Sequence, residues 1–114
     1  MSFFDSDVVR AEMTEISELQ EDVYRNVFKF PSINKEEKKF HVGMLERLLD
    51  KQRILYTRLS LSDDPEAKMM KQRIVESATM MGLPPDADMS TVFSNMSQML
   101  EVMKEQIDKS GSDL

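Results

Sequence analysis

Residues 45–59 read LERLLDKQRILYTRL. Leu45, Leu48, Gln52, Leu55 and Leu59 recur at steps of three and four, the spacing of one face of an α-helix or coiled coil; a strand would alternate with period two. Phe40 and Met44 extend the stripe toward the N-terminus. Upstream, Asn34 and Glu37 stand three apart as a capping box, with Asn in place of Ser or Thr. The spacing therefore predicts a helix from Lys35 to Ser60, roughly 39 Å long at 1.5 Å per residue.

The same reading extends outward in both directions. Toward the N-terminus, Val9, Met13, Ile16, Gln20, Val23 and Val27 form a second long stripe. Asp5 is the expected cap, with Phe4 and Val9 as a hydrophobic staple, and Pro31 in KFPSIN ends the helix because it has no N–H to donate. Toward the C-terminus, Asp64 before Pro65 reads as an N-cap followed by proline at the first helical position. Met70, Ile74, Ala78 and Met81 mark the buried side of this third helix. Gly82 closes it, with Leu83 folded back near Ala78 as a Schellman contact. LPPDAD is a turn, Ser90 is the expected cap of the last helix, and Val92, Met96, Met99, Met103 and Gln106 or Ile107 are its stripe. No segment alternates long enough to be a strand. The expectation is an all-α bundle of about four helices. Two long N-terminal helices form an antiparallel hairpin and two shorter helices complete a single domain over 1–109, with 110–114 as a frayed tail.

Composition narrows the chemistry. The chain has 114 residues, 3 Gly, 4 Pro and no Cys. Without cysteine there is no disulfide, thiolate ligand or thiol nucleophile, which fits a reducing cytoplasm, and a cytoplasmic location is expected. No apolar run reaches the roughly 20 residues of a membrane span. MSFFDSD lacks the basic-then-apolar order of a signal peptide. Net charge is −6, unevenly spread: −5 over 1–28, +4 over 29–58 and −5 over 59–114. The basic middle is expected to neutralise its acidic flanks within the fold, and nucleic acid is disfavoured as a partner because an acidic protein repels phosphate at long range.

Sites of reaction are scarce. His41 has Glu37 one turn before it, but a single histidine gives half a metal site. Glu12, Glu15, Glu18 and Glu21, with Glu46 and Asp50 opposite, faintly resemble the carboxylate sets of all-helical nucleotide pyrophosphohydrolases, which hold Mg²⁺. The match lacks the leading Glu-Glu pair, and Glu46 to Asp50 is one residue too long. A solvated acidic face is the preferred reading, so no catalytic, cofactor or metal residues are assigned and no cofactor is expected. Lys35, Lys38, Lys39, Arg47, Lys51, Arg53 and Arg58 spread around their helix and do not form one nucleic-acid face. Asp63 and Asp64 are read as helix punctuation and not as a catalytic pair.

Methionine is the compositional signal. Of 11, eight lie between Met69 and Met103. Methionine fills irregular gaps and suits adaptable binding surfaces. Gln20 and Gln52 sit at seam positions of their stripes, where a polar residue fixes register or oligomeric state. Gln20, Gln52, Met96, Met99 and Met103 are therefore the candidate oligomer or partner interface.

Three stretches, FFDSDVV (3–9), RILYTRLSLSDDPEAK (53–68) and MSQMLEVMKEQI (96–107), resemble a small helical family of cyanobacteria and their phages (domain-of-unknown-function family 1825). MGLPPD takes the place of a Gly-Met/Ile-Thr-Pro turn in that family, and ATMMGLPPDADMSTVFSNM departs from it as a divergent, viral member would. The resemblance supplies no reaction and no site. It implies the cytoplasm of a photosynthetic prokaryote or its infected host, and a role touching host regulation or photosynthetic assemblies. The function expected is that of a noncatalytic interaction or regulatory protein. A homo-oligomer is expected, a dimer being favoured, with an unidentified host or phage protein as a further partner and no membrane. A small Mg²⁺-dependent pyrophosphohydrolase-like enzyme and a nucleic-acid accessory protein are the alternatives.

Overall fold

The computed structural model describes residues 3–80, 82–84 and 86–110. Among them are four α-helices, α1 (Asp7–Val27), α2 (Lys35–Leu61), α3 (Pro65–Met80) and α4 (Met89–Ser110), with short 3₁₀ turns at Phe3–Asp5 and Phe30–Ser32 and no strand. The all-α bundle is as read from the periodicity. α4 runs to Ser110, the first residue of the expected tail. Residues 111–114, like Met81 of the third stripe and Pro85 of the turn, lie outside the described residues.

Each helix starts where a side chain takes over an orphan backbone N–H. At α2 the box is reciprocal: Asn34 Oδ1 accepts from the Glu37 N–H at 2.9 Å, and the Asn34 amide donates back to Glu37 Oε1 at 2.9 Å. At α3, Asp64 Oδ1 accepts from the Glu66 N–H at 2.9 Å, one residue beyond Pro65. Its C-terminus is a Schellman motif. The Leu83 N–H bonds Ala78 O, the Gly82 N–H bonds Thr79 O, and Gly82 sits at φ +105°, which glycine reaches without a Cβ clash.

Two expected caps are corrected. α1 is capped by Ser6 and not Asp5, because residues 3–5 form their own 3₁₀ turn and push the start on by one; the Ser6 hydroxyl accepts from Val9 N–H at 3.4 Å. The staple positions then fall on Asp5 and Arg10, which form an ion pair at 3.6 Å, while Phe4 packs against the core cluster that holds Val9. α4 is capped by Asp88 and not Ser90. Asp88 accepts from the Ser90 N–H and the Thr91 hydroxyl, both at 3.1 Å, since a carboxylate two residues earlier reaches both donors at once.

α2 is the central helix. One side packs on α1, α3 and the N-terminal turn through Leu48, Leu55 and Leu59, which meet Val9, Ile16 and Ala67. The other side packs on α4 through Leu49, which meets Met89 and Phe93. A helix covered on two sides needs more than one stripe, so His41, Val42 and Leu49 are buried although the single-stripe reading omitted them. Phe40, expected in the stripe, is 70% exposed.

The molecule measures 55 × 31 × 19 Å, with a radius of gyration of 16.4 Å. A compact chain of this length would have about 13 Å. A thickness of 19 Å holds no more than two helices of about 10 Å each, so much apolar side-chain surface remains uncovered.

Candidate functional site

Ion pairs tie α2 to both of its long neighbours. Glu12 Oε1 lies 3.2 Å from Arg58 Nε, and Glu15 pairs with Lys51 and, at 4.0 Å, with Arg47. The Lys51 ammonium, by hydrogen bond and by charge, holds the Glu15 carboxyl below the usual carboxylate range. Between α2 and α4, Lys39 pairs with Asp108, and Lys104 lies 3.2 Å from Glu46. These contacts raise both lysines and lower Asp108. The basic middle thus neutralises acidic flanks on two sides.

The same contacts separate the carboxylates that a Mg²⁺ site needs. Glu12 and Glu15 face α2 cations, Glu46 faces α4, and Asp50 bonds Arg53 on its own helix at 2.8 Å. Among the described residues no three His, Cys, Asp or Glu side chains are grouped to hold a metal. Asp64, read as punctuation, does more than cap: its second carboxylate oxygen accepts the N–H of Phe3. Asp63 is exposed.

His41 is 4% exposed. Its ring lies 5.3 Å from that of Phe30, and its Nδ1 has no hydrogen-bond partner. It lines a cleft of about 380 Å³ between the end of α1 and the start of α2, together with Asn26, Lys29 and Met44.

The five candidate interface residues converge on two adjoining depressions. A groove of about 210 Å³ between α2 and α4 is lined by Gln52, Met96, Met99 and Met103 with Leu45 and Leu49. A larger cleft of about 520 Å³ takes walls from all four helices, and Gln20, Gln52 and Met96 line it. Gln52 and Met96 belong to both, so the depressions are continuous. Met96 and Met99 are 45% and 66% exposed, and Val102 beside them is 51% exposed.

That exposure corrects the expected stripe of α4. The buried residues are Met89, Phe93 and Ile107, with Val92, Leu100 and Met103 half-buried, so Ile107 of the expected stripe is buried while its middle, Met96 and Met99, turns outward. Bulky Phe93, Leu100 and Ile107 recur every seven residues and fill the core with Met89, while the flexible Met96 and Met99 are left at the rim.

A second group escaped the sequence reading. Tyr24, Phe28 and Phe40 are 76%, 91% and 70% exposed, and all three flank the α1–α2 connection. The signal was present: four of the eight aromatic residues fall between 24 and 40, among Arg25, Lys29, Lys35, Lys38 and Lys39.

Compared with known proteins, residues 1–107 match the family model of a domain of unknown function, DUF1825. No curated protein and no solved structure matches.

Proposed function

The chain belongs to the DUF1825 family, and on that premise we propose that it is a noncatalytic interaction protein that self-associates as a dimer through the α2–α4 groove. One observation carries this reading: Met96, Met99 and Val102 form an exposed apolar strip on α4 beside a groove lined by leucine and methionine. Contiguous apolar surface of this kind marks interfaces, and methionine adapts to the partner's shape. A two-fold dimer uses the same patch on both copies, so one strip suffices. The thin shape of the molecule supports the need for such cover. A host or phage protein presenting an amphipathic helix would use the same groove. A cyanobacterial or cyanophage origin and a cytoplasmic setting come with the resemblance and belong to this proposal. The antiparallel arrangement of α1 and α2 is supported by their ion pairs, in which Glu12 meets Arg58 while Glu15 meets Lys51.

The pyrophosphohydrolase reading would need Glu12, Glu15, Glu46 and Asp50 to converge, and each is engaged by a separate cation. The nucleic-acid reading would need the α2 cations unpaired, and Lys39, Arg47, Lys51, Arg53 and Arg58 are in ion pairs.

Sedimentation velocity at several concentrations tests the dimer. The wild type should shift toward a dimer as concentration rises, and Met99→Lys should sediment as a monomer with unchanged helix content. A wild type that stays monomeric at every concentration overturns the proposal.

A further inference from the structure

We propose that the 520 Å³ cleft between the four helices binds an uncharged, largely apolar small molecule that carries one hydrogen-bonding end. The volume lies within the roughly 300–1,000 Å³ of small-molecule sites. Walls come from α1 (Ile16, Gln20), α2, α3 (Ile74, Ala78) and α4 (Phe93), so four helices surround the site, whereas the α2–α4 groove has two. In a chain that is 32% charged, none of the fourteen lining residues is charged. Ten are apolar, and although the Lys71 ammonium lies 5.8 Å from the Tyr56 ring centre beside the cleft, no charged side chain lines it, so the lining favours a neutral ligand.

The polar groups are few and placed. Gln52 and Tyr56 are one turn apart on α2, hence on the same side of the helix, and both are half-buried. Gln20 and Ser77 are exposed, which puts them at the mouth. None of these four side chains makes a hydrogen bond among the described residues. An alcohol, ketone or amide end fits this pair of an amide and a phenol, with the hydrocarbon body against Ile74, Ala78 and Phe93. Such a site fixes one end by hydrogen bonds and holds the rest by burial. The proposal does not rest on dimerisation: Gln52 and Met96 are shared with the groove, but Met99, the centre of the exposed strip, is not part of this cleft.

N-phenyl-1-naphthylamine, a neutral apolar probe with one N–H, tests it by fluorescence titration. The expected result is saturable binding with one site per chain. Its anionic relative 8-anilinonaphthalene-1-sulfonate should bind roughly tenfold more weakly. Ala78→Leu, which fills the cleft from α3, should weaken the neutral probe by roughly tenfold with helix content retained. Ser77→Leu narrows the mouth from an exposed position, and serves if Ala78→Leu does not fold. Met99→Lys should bind as the wild type does. The proposal is overturned by equal binding of both probes, by wild-type binding in the folded cleft variant, or by loss of binding in Met99→Lys, which would place the probe in the seam between two copies.

Discussion

The carboxylate of Asp64 accepts the backbone N–H of Phe3 across 61 positions of sequence. With its other oxygen it caps α3 through Glu66. One side chain therefore starts a helix and fastens the N-terminal turn, whose Phe3 and Phe4 pack on the Val9–Leu59 core. A cap alone contributes about 1 kcal/mol, and a hydrogen bond to a charged group about 1.5–3 kcal/mol. Asp64→Ala should cost about 2.5–4 kcal/mol in chemical unfolding, and Asp64→Asn, which keeps an acceptor, clearly less. A loss near 1 kcal/mol for alanine would mean that the Phe3 contact adds nothing.

The rotation of α4 makes a separate prediction. Phe93 is 8% exposed and Met99 is 66% exposed. Phe93→Ala should cost about 3–5 kcal/mol, whereas Met99→Ala should stay within about 0.5 kcal/mol of wild type at a concentration where the protein is monomeric. Equal costs would show that the helix packs by its methionine stripe after all.

How far the sequence was legible follows from these residues. Helix number, the Asn34–Glu37 box, the Asp64–Pro65 start and the Gly82 stop could be read because each depends on neighbours within four positions. The rotation of α4 could not, since Met96 and Phe93 are both apolar at helical spacing, and the choice between them depends on the shape of α2 opposite. Nor could the burial of Leu49, which follows from α2 being covered on two sides. The five candidate interface residues do line adjoining depressions, but Gln20 and Gln52 reach them from different helices, a juxtaposition that periodicity cannot supply. The exposed Tyr24, Phe28 and Phe40 were legible as a cluster of rings among cations, a pattern that belongs to no single helical stripe.

Stability should fall at both ends of the pH scale, for opposite reasons. Glu15 and Asp108 are held below the usual carboxylate range by Lys51 and Lys39. Their contribution is complete above about pH 4, where carboxylates ordinarily titrate, and is lost as pH falls through the lowered values. Lys39 and Lys104 are raised by Asp108 and Glu46. Their contribution is complete below about pH 10.4 and is lost as pH rises through the raised values. Between these limits these pairs add no pH dependence of their own, and Lys51→Met should make the acid branch shallower. These pairs are solvent-exposed, so about 1 M salt should flatten both branches. An acid branch identical in wild type and Lys51→Met would remove the Glu15 pair from the account.

His41 gives the sharpest contrast between packing and hydrogen bonding. Its ring is buried against Phe30, while Nδ1 has no partner. A buried polar atom left unsatisfied costs about 1–3 kcal/mol, so removing the nitrogen while keeping the volume should not destabilise the fold. His41→Leu should melt at or above the wild-type temperature. His41→Ala removes the packed ring as well, and should cost about 2–3 kcal/mol, because the contact with Phe30 is lost and a hollow is left behind α2. The pair of variants separates the two roles of the residue. If His41→Leu lost more than about 1 kcal/mol, the imidazole would be making a hydrogen bond in solution, and the cleft it lines with Asn26 and Lys29 would then be the place to look for the donor.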